Sequence, residues 1–167
     1  IWKLLSEDAF GHPTAVSTGP LNRTYSYDDY GFPTTRKAVT SSGAVIQDFG
    51  TLFDPVTGNL KGRGDNKYNK FEQFRYDNLN RLTQVYMATS LVATPSAEAE
   101  NVYSYLANGN LASKSDVGVF SYDNASKPYA VTGLGLIGDA VPARKQQVTY
   151  TSFERPASII ENNYFFS

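Results

Sequence analysis

The sequence predicts an all-β fold built from tandem antiparallel β-hairpins. Three observations carry that prediction. Tyr and Phe favour half-buried pleated surfaces, and the 167 residues hold 12 Tyr and 10 Phe. Aromatic residues recur two positions apart just before an Asp, as in FRYD from Phe74 to Asp77. A ten-residue phrase, seen in YDNLNRLTQV from Tyr76, has seven copies along the chain.

The copies begin at Glu7, Tyr27, Phe53, Tyr76, Tyr105, Tyr122 and Tyr150, spaced 17 to 29 residues apart. The lead position is thus Tyr or Phe in six of seven. Side chains alternate with period two on a strand, so the lead ring shares a face with Tyr25, Phe74, Tyr103 or Phe120 two residues earlier. The second position is Asp8, Asp28, Asp54, Asp77 or Asp123 in five copies. An Asp at a turn start accepts hydrogen bonds from the backbone N–H groups that follow. The fifth position is Gly11, Gly31, Asn80 or Gly109, and Gly58 arrives one residue late after an insertion. Gly and Asn tolerate the positive φ that a type I turn followed by a bulge requires. The seventh position is always Pro or Leu: Pro13, Pro33, Leu60, Leu82, Leu111, Pro128 and Pro156. Proline has no N–H and suits the first residue of a strand. Each copy therefore reads as strand, tight turn, return strand. Longer, more variable turns join the copies. Two intervening stretches, TPSAEAEN (94–101) and GDAVPARKQQ (138–147), have the composition for about one helical turn each. We read both as protruding loops, because insertions into surface turns cost little.

The phrases YDNLNRLTQV, YDDYGFPTTR and FDPVTGNLKG resemble the YD repeat, also called the RHS repeat. The resemblance runs from Glu7 to about Ile160. Departures are Glu7 for the lead aromatic, Leu106 and Thr151 for Asp, and Ser126 and Glu154 for the turn Gly or Asn. In that family the hairpins pair side by side into a long strip that spirals into a hollow shell. Such shells occur in bacterial RHS toxins, in the B–C cocoon of Tc insecticidal toxins and in teneurins. The resemblance implies a twisted, curled strip that is part of a shell or open barrel, a wall rather than an enzyme, with no cofactor. It also implies a secreted or surface-delivered bacterial protein. Its partners would be the remaining repeats and an enclosed C-terminal toxin domain. A surface adhesion or carbohydrate-binding protein built from the same repeats is the alternative.

Residues 1–167 read as one repeat segment, long enough to bury a core. The strand-like ends IWKLL and NNYFFS read as cuts through strands of a longer protein. Open strand edges there would pair with another chain, so edge-to-edge self-association is expected. Fifteen Lys and Arg balance 16 Asp and Glu. That lacks the basic excess of a phosphate-neutralising protein, so no nucleic-acid partner is expected. No apolar run reaches 18 residues, and no membrane insertion is expected. The absence of Cys excludes disulfides, thiolate metal sites and a Cys nucleophile.

The remaining motifs have plain structural readings. Arg63-Gly64-Asp65 is the tripeptide of integrin ligands, but it falls in a predicted strand and turn. FDPVTG (53–58) resembles the Asp-Pro element near the self-cleavage region of RHS shells, without the companion carboxylate that proteolysis needs. We read it as a hairpin with one inserted residue. His12, the only histidine, occupies a freely varying sixth position and is read as a surface residue, not part of a catalytic triad. Sequons begin at Asn22 and Asn124. The tyrosine ladder could bind sugar rings, but packing between neighbouring hairpins is the favoured reading.

Overall fold

The computed structural model describes residues 2–138, 146–153, 155–161 and 164–166. Among the described residues there are fifteen β-strands and no helix. The chain divides into two compact units, Ile1–Ser104 and Tyr105–Ser167. The first unit is a meander of β1 (Trp2–Glu7), β2 (Pro13–Thr18), β3 (Leu21–Tyr27), β4 (Pro33–Thr40), β5 (Val45–Phe53), β6 (Leu60–Asp65), β7 (Lys70–Tyr76), β8 (Leu82–Ala88) and β9 (Asn101–Tyr105). Each strand lies antiparallel beside the next in chain order. In the second unit β10 (Leu111–Lys114), β11 (Gly118–Ser121) and β12 (Gly133–Leu136) form one meander. There β13 (Gln146–Tyr150), β14 (Pro156–Glu161) and β15 (Tyr164–Phe166) form another.

The repeat phrase sets the strand boundaries. Glu7, Tyr27, Phe53, Tyr76, Tyr105 and Tyr150 each end a strand. Pro13, Pro33, Leu60, Leu82, Leu111 and Pro156 each begin the return strand. The ladder shifts register at the lead residue, between Ser26 and Tyr27, Leu52 and Phe53, and Arg75 and Tyr76. That shift is the bulge a type I turn needs to bring two twisted strands back into pairing.

The sixth copy departs from this plan. β11 ends before Tyr122, and residues 122–132 form a longer loop before β12. Pro128 begins no strand. At its fifth position Ser126 stands where five other copies place Gly or Asn, and it does not adopt positive φ. Asn124 instead folds a polar turn, its Oδ1 accepting from the amides of Ser126 at 3.0 Å and Lys127 at 3.2 Å.

Cross-strand partners share a face, so the register assigns the core. Val16, Ala38, Thr51, Phe74 and Val85 are all buried and lie on one face of the first unit. The opposite face carries Gly50, Gly62, Gly64, Phe71 and Gln73. There the β8–β9 loop lies against the sheet. A Cβ on Gly50 would stand 2.9 Å from Leu91 Cδ1, and one on Gly64 only 2.3 Å from Phe71 Cδ1. The glycines thus clear a slot for these two side chains. Gln73 donates from Nε2 to the carbonyls of Leu91 (3.3 Å) and Ala93 (2.7 Å). Amides of Ser96 and Glu100 bond the carbonyls of Met87 (2.9 Å) and Val85 (2.8 Å). The 94–101 stretch, expected to protrude, is held along the sheet because its polar backbone finds partners there. Of the 138–147 stretch, residues 139–145 lie outside the described residues.

Candidate functional site: turns and the links between hairpins

Four turns of the first unit share one construction. The Asp8 amide donates to the His12 carbonyl at 2.9 Å and the Gly11 amide to the Asp8 carbonyl at 3.1 Å. The pattern returns at Asp28 with Phe32 and Gly31, Asp54 with Asn59 and Gly58, and Asp77 with Arg81 and Asn80. The Asp side chain closes the inside of each turn. Oδ1 of Asp8 accepts from the amides of Phe10 and His12, both at 2.9 Å. Oδ1 of Asp28 accepts from Tyr30 and Phe32, that of Asp54 from Val56 and Thr57, and that of Asp77 from Leu79 and Arg81. Gly11, Gly31, Gly58, Asn80 and Gly109 all take positive φ, between 59° and 91°. Asn80 is the one non-glycine of the five, and Asn is among the few L-residues that visit this region readily.

These bonds act on the carboxylates. Arg81, through its side chain and its amide, holds the Asp77 carboxyl below the ordinary carboxylate value. The amides of Thr57 and Val56 do the same for Asp54. At Asp8 desolvation is the largest single influence and raises the value, but the bonds from His12 and the Phe10 amide together lower it. Asp123 has another role: its amide bonds Thr132 Oγ1 at 2.9 Å, and its Oδ2 accepts from that hydroxyl at 3.1 Å.

The lead tyrosines do more than fill a face. The Tyr27 hydroxyl donates to the Pro13 carbonyl at 3.1 Å, Tyr76 to Leu60 at 2.8 Å, and Tyr122 to Leu111 at 2.9 Å. Each acceptor is the seventh residue of the preceding copy. In the third copy the lead is Phe53, which has no hydroxyl. There Thr51, two residues earlier, donates to the Pro33 carbonyl. The same link is thus made by a different side chain. Sequence reading missed these links, although Tyr leads five of the seven copies and Thr51 stands upstream of the one Phe.

The sixth position forms a second link. The His12 ring lies 4.7 Å from that of Tyr27, and Phe32 stacks on Phe53 at 4.8 Å and 14°. Asn59 Nδ2 donates to Asn80 Oδ1 at 2.8 Å. The sixth residue of one copy therefore rests on the next. It varies because rings and amides can each fill that contact. His12, read as a surface residue, is half-buried there, with Nδ1 2.9 Å from Asp8 Oδ2.

A further turn of the same design went unrecognised. The Gly43 amide bonds the Thr40 carbonyl at 3.0 Å, Gly43 has φ 85°, and Thr40 Oγ1 accepts from the Ala44 amide at 3.0 Å. Thr40 takes the place of Asp. The signal was a Thr three residues before a Gly, the offset used by Asp8 and Gly11.

No family model matches the chain, and no curated protein matches it. Among solved structures, the crystal structure of TcdB2-TccC3-TEV matches with a TM-score of 0.59 at 17% identity. The match covers 95% of this chain and 10% of that one. The chain shares the fold of a segment of TcdB2-TccC3. At this identity the likeness is one of fold, and the chain spans about a tenth of the length of that TcdB2-TccC3 chain.

Within the fold shared with TcdB2-TccC3, the other singled-out motifs sit in sheet and turns. Arg63, Gly64 and Asp65 are the last residues of β6. Arg63 is ion-paired with Glu72, and Gly64 lies beneath Phe71. Asp54, Pro55 and Gly58 belong to the β5–β6 turn. Tyr105 closes β9, while the side chain of Tyr150 and the whole of Glu154 lie outside the described residues. Among the described residues no three His, Asp or Glu side chains converge as metal ligands.

Proposed function

We propose that this chain is wall material of a YD-repeat shell that encloses a C-terminal toxin domain of a secreted or surface-delivered bacterial protein. One observation supports the reading most. Successive copies are linked in the same two ways, by a hydroxyl to the preceding seventh carbonyl and by the sixth side chain to the next copy. Such links are spent on continuity along a strip, and repeats of this kind stack by nearest-neighbour contacts. The likeness of fold to TcdB2-TccC3 supports the same reading. Electron cryo-microscopy of the protein as its gene encodes it tests the proposal. A hollow shell with density inside its wall is the expected result. An open strip, or a closed body with no interior space, would overturn it.

A further inference from the structure

The fourth residue of the first four copies is Phe10, Tyr30, Val56 and Leu79 in turn. Each stands at the tip of its turn: Phe10 is 82% exposed, Tyr30 69%, Val56 90% and Leu79 71%. The turns do not ask for these side chains. Only the backbone amide of each is used, as donor to Oδ1 of Asp8, Asp28, Asp54 or Asp77. Small polar residues, Gly and Pro are the usual choices in a turn. Alternate turns of a meander leave by the same edge, so the β1–β2, β3–β4, β5–β6 and β7–β8 tips form one row. Asn108 and Ala125 follow in the fifth and sixth copies, so the row stops with the first unit. In the short turns of the opposite edge, 19–20, 41–44 and 66–69, Tyr68 is the one large apolar side chain. Single exposed apolar residues are ordinary, whereas a row of them marks an interaction surface. The row is also acidic. Between the strands its turns hold Asp8, Asp28, Asp29, Asp54 and Asp77 against Arg81 and His12. Asp28 and Asp29, beside Tyr30, make no ion pair among the described residues.

We infer that this row docks an amphipathic helix of a partner protein, one whose apolar stripe is flanked by Lys and Arg. Successive tips lie two strands apart, a step of about 9.6 Å at the usual strand spacing. Two turns of an α-helix rise about 10.8 Å. Apolar side chains repeating once per heptad therefore enter successive gaps between the tips. Basic residues beside the stripe meet the carboxylates, with Asp28 and Asp29 open to them. Such complementarity speeds encounter and rejects partners of the wrong charge. The Oδ1 bonds already hold the tip backbones, so little freedom is lost on docking. Charge disfavours the other occupants. A second copy set row against row would bring these carboxylates together, and an anionic bilayer would repel them. The surface goes beyond the wall reading and does not depend on closure of the strip into a shell.

Fluorescence anisotropy of the 167-residue chain with a labelled helix of about three Leu–Lys heptads, and with its Leu–Glu counterpart, tests the inference. The Leu–Lys helix binds. Tyr30→Ser combined with Val56→Ser weakens it about tenfold. Asp29→Asn also weakens it and flattens its dependence on salt. Tyr68→Ser, on the opposite edge, leaves it unchanged. All these residues are exposed. Circular dichroism verifies that each variant is folded, and should the double variant fail to fold, Phe10→Ser and Leu79→Ser decide. No binding of the Leu–Lys helix, or binding indifferent to the tip substitutions, would overturn the surface. Equal binding of the Leu–Glu helix would overturn it too, because the carboxylates would then select nothing. So would tip-dependent binding to phosphatidylcholine vesicles or tip-dependent dimerisation in sedimentation without helix binding, which would assign the row to a bilayer or to a second copy.

Discussion

A turn of this chain is built around a carboxylate and a residue at positive φ. Gly11 and Gly31 have nearly the same φ, 83° and 84°, but differ in surroundings. A Cβ at Gly11 would meet open space, whereas one at Gly31 would lie 3.3 Å from His12 Cε1. Left-handed backbone costs an L-residue about 1–2 kcal/mol. Gly11→Ala should lose about that much in urea unfolding, and Gly31→Ala more; equal losses would contradict the stacking of turn on turn. The carboxylates add a dependence on pH. The folded state lowers the Asp77 pKa, through Arg81 first. Its contribution is therefore present above the ordinary carboxylate range and lost as pH falls through the lowered value. Asp77→Asn should be less stable than the parent at neutral pH, with the gap narrowing towards pH 2. Thermal unfolding across that range measures it, and a gap independent of pH would remove the carboxylate from the account.

At the scale of the element, one of the links from a hairpin to its neighbour is a single hydroxyl. Tyr76→Phe removes the donor to the Leu60 carbonyl and leaves the ring. A typical hydrogen bond contributes about 0.5–1.5 kcal/mol net, and loss of that size is expected in denaturant melts. Tyr30→Phe is the comparison, since Tyr30 is exposed at a turn tip; it should change stability by less than about 0.5 kcal/mol. If the two substitutions cost the same, the hydroxyl link has no energetic role.

For the whole molecule, links that join only adjacent copies imply a stability that sums along the chain. Tyr27→Phe and Tyr76→Phe act in hairpins separated by the third copy. Their double variant should lose the sum of the single losses, within about 0.3–0.5 kcal/mol. Strong coupling would mean that the first unit unfolds through contacts reaching across several hairpins.

Turn positions and return-strand starts were legible from residue type, while the side-by-side order of the hairpins was implied by the resemblance to YD repeats. Asp8, Gly11 and Pro13 each have a local job, and local jobs depend on neighbours in sequence. The sixth copy shows the limit of this reading: Ser126 and Glu154 both replace the turn Gly or Asn, yet only the sixth copy opens into a loop, closed by Asp123 and Thr132, and that loop was not legible. The docking of Leu91 into the gap left by Gly50 and Gly62 was equally hidden. So was the reach of the tyrosine hydroxyls to the preceding copy. Sequence by itself could say what each hairpin is, because a tight turn is decided within about seven residues. Only tertiary structure could say what each hairpin touches, because register between strands brings together residues that no local spacing relates.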